Sequence, residues 1–100
     1  MGNEQRARAR TMTRERYLGA GRWEEVTEPV VVVAGVAFPA GVVASLGADH
    51  LEHVARQPNP GAYCQARARG WWDANDLEYV GLYATAAACF SDEQTPTVTP

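Results

Sequence analysis

The densest run of side chains able to bind a metal or move a proton is Asp49-His50-Leu51-Glu52-His53. On a helix, His50 and His53 share a face, as do Asp49 and His53, so a divalent cation could be held there with Cys64 or Cys89 nearby. The run has neither the His-Glu-x-x-His spacing of metalloproteases nor a Cys-x-x-Cys pair. His50-Leu51-Glu52 matches the His-x-Glu of zinc deaminases, but their Pro-Cys-x-x-Cys is missing, because Cys64 stands alone. The plainer expectation for Asp49, His50, Glu52 and His53 is an exposed polar helix turn with one imidazole lying over the core.

Nucleophiles are scarce. Ser45 and Ser91 are the only serines, and Val43-Ala44-Ser45-Leu46-Gly47 lacks the first glycine of a nucleophile elbow. Cys64 with His50 or His53 could form a thiolate pair, although buried structural cysteines are far commoner. Gly35-Val36-Ala37-Phe38-Pro39-Ala40-Gly41 falls between a strand and a helix, where phosphate loops sit. It has no Lys-Ser/Thr and no dinucleotide glycine spacing, and the chain is short for a doubly wound nucleotide fold, so this is a turn. No catalytic residue and no cofactor is assigned.

Two other groups point to contacts rather than reactions. Trp71, Trp72, Tyr79 and Tyr83 flank a turn, with Arg67 and Arg69 on the same arm, a mixture that could stack bases or hold a flat ligand. In the competing arrangement two of the rings plug the core and the others form a subunit interface. Both arrangements make this segment a contact surface. The second group is a basic arm of Arg6, Arg8, Arg10, Arg14, Arg16 and Arg22. Residues 1–22 carry these six Arg against two Glu, a net charge of +4, whereas the remainder carries three Arg against ten acidic residues, −7. A basic arm on an acidic body suits nucleic acid, or docking on the acidic body of a second copy.

One hundred residues support one domain. Hydrophobic residues make up 46% and charged residues 21%, which excludes wholesale disorder. All nine basic residues are Arg, and neither Lys nor Ile occurs, as in the coding bias of a GC-rich genome. Two cysteines are too few for a disulfide framework, so reduced thiols and a cytoplasmic location are expected. Pro29–Ala48 contains no charge over twenty residues, long enough for a membrane span. Its Gly35, Pro39, Gly41 and Gly47, and the Glu24, Glu25 and Glu28 crowding its entrance, argue for a soluble chain without membrane association.

The elements expected to position these groups are as follows. Residues 1–22 form the basic arm, with a short helix over 10–18 stopped by Gly19 and Gly21; 23–90 form a single domain; 91–100 form a flexible tail. Arg22–Val26 reads as a short edge strand. Val30–Phe38, free of charge and rich in β-branched residues, reads as the central buried strand. Val43, Leu46, Gly47, His50, Leu51 and Val54 recur at helical spacing, giving one main helix over 40–57 that Pro58-Asn59-Pro60-Gly61 ends. Small and polar residues alternate over 62–72, which reads as a strand. Residues 77–89 fit a helix capped by Asn75 and Glu78, but such a helix has almost no polar face, so a strand after the loop 73–76 is preferred.

The expected fold is therefore α+β, a small antiparallel sheet of about three to four strands with the 40–57 helix on one face. Sheet edges in a domain this small favour dimerisation. The leading functional expectation is a non-catalytic interaction or ligand-binding module that self-associates, an accessory protein of a GC-rich bacterial or phage genome. The alternatives are nucleic-acid association through Arg6, Arg8, Arg10, Arg14 and Arg16, and a small enzyme with a His/Glu/Cys pocket.

Overall fold

Two Ala-Gly pairs fold the first part of the chain. Ala20 and Gly21 have φ of 55° and 74°, and Ala34 and Gly35 have φ of 52° and 81°. Two successive residues in the left-handed region give a two-residue hairpin turn whose twist matches that of paired strands. In the computed structural model, which describes residues 11–92, these turns join β1 (Thr11–Gly19), β2 (Arg22–Val33) and β3 (Val36–Pro39). The antiparallel sheet has the order β1-β2-β3. β1 pairs with Arg22–Pro29 and β3 with Val30–Val33, so two ladders occupy consecutive stretches of one long strand.

Two sequence expectations are corrected here. Residues 11–19 form a strand where a helix over 10–18 was expected, because Thr11, Thr13 and Tyr17 favour extended backbone and the alternation sets Arg14 and Arg16 beside acids of β2. Val30–Phe38 is a hairpin bent at Ala34-Gly35, not one buried strand: Val33, Val36 and Phe38 are buried, but Val32 is 60% exposed. Arg22–Val26 is a strand as expected; it belongs to β2, the middle of the order, but pairs with β1 alone, because β3 reaches only Val30–Val33. Arg6, Arg8 and Arg10 of the expected arm, and residues 93–100 of the expected tail, lie outside the described residues, and Ser91 and Asp92 belong to a helix.

Four helices follow within the described residues: α1 (Ala40–Leu46), α2 (Ala48–Ala55), α3 (Pro60–Asp73) and α4 (Leu77–Asp92). The single helix expected over 40–57 is broken at Gly47, whose φ of 94° no helix accommodates. Pro58-Asn59-Pro60-Gly61 does end a helix, but it also starts the next one. Asn59 accepts a hydrogen bond from the Ala62 N–H at 3.1 Å, and Pro60 occupies the first helical position. Residues 62–72 are therefore helical, with Cys64, Ala68 and Trp71 turned inward at helical spacing.

Residues 77–89 are helical too, started by Asp76, whose Oδ1 accepts from the Tyr79 N–H at 3.4 Å. The lack of a polar face, which favoured a strand, has a tertiary cause: α4 packs against β1, β3, α1 and α3 together. Phe90 of α4 meets Phe38 of β3 edge to face at 5.3 Å in the core. The fold is α+β with a three-stranded antiparallel sheet, as expected, but all three strands precede Ala40. Among the described residues no helix is long and apolar enough to cross a membrane.

One polar contact joins the sheet to the helices. Arg14 of β1 donates to both carboxylate oxygens of Glu28 in β2, at 2.9 and 3.0 Å, and the Gly41 N–H of α1 donates to Oε1 at 2.9 Å. The Arg14 and Glu28 side chains are only 6% and 18% exposed. A Cβ on residue 41 would stand 2.5 Å from Arg14 Nη2, so only glycine admits the contact. The Arg14 hydrogen bonds, and then the Gly41 N–H, hold the Glu28 carboxyl below its ordinary value, against the opposing effect of burial.

We predict that Glu28→Ala costs about 3 kcal/mol in denaturant unfolding, because it leaves Arg14 buried and uncompensated. Gly41→Ala should also destabilise, although alanine is the better helix former by about 1 kcal/mol. A carboxyl lowered in the folded state contributes stability above its unfolded value and loses it as pH falls through the folded one. Acidification below pH 4.5 should thus cost the wild type more stability than Glu28→Gln.

Candidate functional site

Helix α2 carries the run that looked most like a metal site, and the helix divides it. His50 turns inward beside the buried Leu51 and Val54, while Asp49, Glu52 and His53 are exposed. Among the described residues no group of three or more His, Cys, Asp or Glu side chains could hold a metal ion. Asp49, His50, Glu52 and His53 are thus not gathered into one cluster: His50 is partly buried against α4 while the other three are exposed. His53 instead lies within 3.4 Å of the Gln57 side chain, whose amide also donates to the His53 carbonyl at 3.2 Å.

His50 has a partner from a different constellation. Its Nε2 shares a 2.8 Å hydrogen bond with the hydroxyl of Tyr83 on α4, and the two rings meet edge to face. The Arg67 guanidinium of α3 stands 5.8 Å from the centre of the Tyr83 ring. Burial lowers the His50 pKa, and the charges of Arg67 and His53 lower it further, so the imidazole is neutral at pH 7. Three helices thus meet on a Tyr–His pair with a cation over the ring, and Tyr83 itself is buried. Cys64 is no nucleophile for this group: burial pushes its thiol up to about 11. Cys64 and Cys89 are both buried, and no disulfide joins them.

The aromatic–Arg group is carried by two packed helices instead of a strand hairpin, and it splits. Trp71 stacks on Tyr79 at 4.8 Å between ring centres, and Arg67 covers Tyr83 one turn away on each helix. These four residues are rungs of the α3–α4 contact. Arg69 and Trp72 point elsewhere. With Gln65, Asp73 and Val80 they line an open hollow of about 470 Å³, and Trp72 is 61% exposed.

Val80 also borders a second groove of about 470 Å³. Its floor is the outer face of α4, with Gly81, Ala84, Thr85 and Ala88, and its wall is the β1–β2 ribbon, with Thr13, Arg14, Glu15 and Trp23; the Arg14 side chain is nearly buried and paired with Glu28. Gly81 lets the ribbon approach: a Cβ there would stand 2.9 Å from the Trp23 ring. Trp23 leans on Tyr17 at 4.9 Å but stays 41% exposed. The two hollows adjoin at Val80 with a tryptophan on each side; the one beside the ribbon is mainly apolar, and the one under Trp72 mixes Ala68, Trp72 and Val80 with Gln65, Arg69 and Asp73.

The charges around this surface are sorted by the alternation of the ribbon. On one face Arg14 pairs with Glu28 and Arg16 with Glu24, the latter at 3.1 Å and exposed. On the other face Glu15 lies directly opposite Glu25, with no cation paired to either among the described residues. Arg14 and Arg16, expected to serve a nucleic-acid arm, are thus held by carboxylates of β2.

Comparison of the chain with protein families, with curated proteins and with solved structures gave no match in any of the three. Trp23, Val80, Ala84 and Ala88 were not chosen from the sequence as site residues. The four-residue spacing of Val80, Ala84 and Ala88 was the available signal, and it could speak only once 77–92 was read as a helix.

His50 yields a pH prediction. A histidine whose folded value is lowered costs stability as pH drops through its unfolded value, since the unfolded chain then binds the extra proton. Thermal unfolding should weaken from pH 7.5 to pH 5.5, the loss setting in around 6.5, and His50→Gln should flatten that slope. Tyr83→Phe should cost about 1 kcal/mol by leaving the imidazole without its partner.

Proposed function

We propose that this chain is a non-catalytic interaction module that self-associates through the outer face of α4. The observation that supports it is the surface around Val80, where Trp23 is 41% and Trp72 61% exposed. Scattered exposed apolar residues are ordinary, but a continuous patch flanked by two tryptophans resembles the anchor of a protein interface. Tryptophan gives much contact area for few rotatable bonds, and the alanines between the rings let an opposing backbone approach.

The polar groups support the same reading. His50 and Tyr83, with Arg67 over the Tyr83 ring, and Arg14 with Glu28 are engaged within the fold, whereas Ala84, Ala88 and Trp72 beside Val80 remain exposed. Burying them against a partner removes apolar area from water at about 25 cal/mol per Å².

Sedimentation velocity over a concentration series should show a monomer–dimer equilibrium. Ala84→Arg, which puts a charge on an already exposed position, should move it toward monomer and leave the unfolding temperature nearly unchanged. Monomer alone at every concentration would remove the self-association reading.

A further inference from the structure

We infer that the partner on this surface is a second copy of the chain in a two-fold arrangement, with Arg69 of each copy meeting Glu15 and Glu25 of the other. This rests on the self-association reading above and specifies its geometry.

The order of groups across the surface carries the inference. One hollow brings Glu15, Trp23 and Val80 together, and the other brings Val80, Trp72 and Arg69 together. Val80 belongs to both hollows, so Glu15 and Trp23 lie on one side of it and Trp72, Arg69 and Asp73 on the other. A patch built this way is complementary to itself. A two-fold axis near Val80 sets the Trp23 side of one copy on the Trp72 side of the other, and Glu15 of each copy meets Arg69 of the other.

Both sides carry charged groups without an ion-pair partner among the described residues. Glu15 and Glu25 are exposed cross-strand neighbours, a like-charge juxtaposition that disfavours the ribbon. The ion pairs that the ribbon does make, Arg14–Glu28 and Arg16–Glu24, lie on its opposite face. Arg69 is exposed and makes no ion pair among the described residues, including with Asp73 four residues along α3. Asp73 leaves that hollow without net charge, so the attraction comes from the Arg69 guanidinium itself, which is unpaired among the described residues and can fork onto a carboxylate of the facing copy. A nucleic acid fits this patch poorly, since phosphates would face Glu15 and Glu25.

Charge reversal tests the arrangement on the full chain. By sedimentation velocity, Glu15→Arg and Arg69→Glu should each weaken self-association about tenfold, since each turns two symmetric attractions into repulsions. Mixing the two variants in equal amounts should restore association to the wild-type range, because the heterodimer regains an Arg–Glu contact at both ends. Wild-type association should also weaken with added salt. Both positions are exposed, and the guanidinium introduced by Glu15→Arg would stand opposite Glu25, so the variants should fold. Circular dichroism checks this, and Glu15→Gln with Arg69→Gln gives milder versions of the same test. If the wild type dimerises but the reversals and their mixture change nothing, the charge pairing is overturned while self-association stands. If the wild type is monomeric throughout, both fall.

Discussion

Glu28 accepts hydrogen bonds from two other elements at once, and the layout of the molecule depends on that. Its carboxylate ties Arg14 of β1 to β2 and receives the Gly41 N–H in the first turn of α1. Pro39, at the N-cap of α1, offers no side-chain acceptor, so Glu28 provides the negative charge that a helix N-terminus favours. The contact lies where the β1 ladder hands over to β3, one residue before Pro29. A half-buried ion pair is not by itself a large source of stability, because desolvation offsets most of its Coulomb attraction. Its value here is positional: the missing Cβ at residue 41 leaves room for the Arg14–Glu28 pair against the first turn of α1.

The rest of the packing follows from that placement. With the ribbon oriented, Trp23 lies on α4 at Gly81, and Phe38 reaches Phe90. α3 closes the opposite side of α4 through the Trp71–Tyr79 and Arg67–Tyr83 contacts, and His50 of α2 joins at Tyr83. α4 is thereby covered on most of its circumference, which is why it tolerates so few polar residues. The remaining strip, Val80, Ala84 and Ala88, is mostly alanine, whose exposure costs little. The two tryptophans beside it are different, because nothing in the packing of one copy requires them to be so exposed.

The sequence showed the fold class and the end of the 40–57 helical region, but it placed the strands wrongly for identifiable reasons. Both hairpin turns put alanine in a left-handed position where asparagine, aspartate or glycine is usual, so neither Ala20-Gly21 nor Ala34-Gly35 read as a turn and the valine run looked continuous. Residues 62–69 alternate small and polar side chains, a period that a strand explains, while Asn59-Pro60 already marked the start of a helix. The apolar sweep of 77–90 is ambiguous without knowing what surrounds it. The individual side chains were easier. His50, Arg67, Trp72 and Tyr83 were all singled out, yet His50 and Tyr83 were assigned to different groups. Their hydrogen bond spans 33 residues of sequence, and no local pattern reports such a pairing.

A contrast within the fold separates its structural groups from the proposed contact surface. Where polar side chains are withdrawn from water, as at Arg14–Glu28 and His50–Tyr83, each has found a partner, which is the condition for burying them at all. Around Val80 the relation is reversed: apolar rings remain in water, and the flanking charges lack opposites within the described chain. Strand alternation sharpens this, because moving Glu15 by one position would set it on the face where Arg14 and Arg16 already stand. The ribbon therefore keeps Arg14 and Arg16, with Glu28 and Glu24, on one face and leaves Glu15 and Glu25 on the other. In the two-fold arrangement proposed above, the same rings leave water and Glu15 and Glu25 gain the cation that the ribbon does not give them.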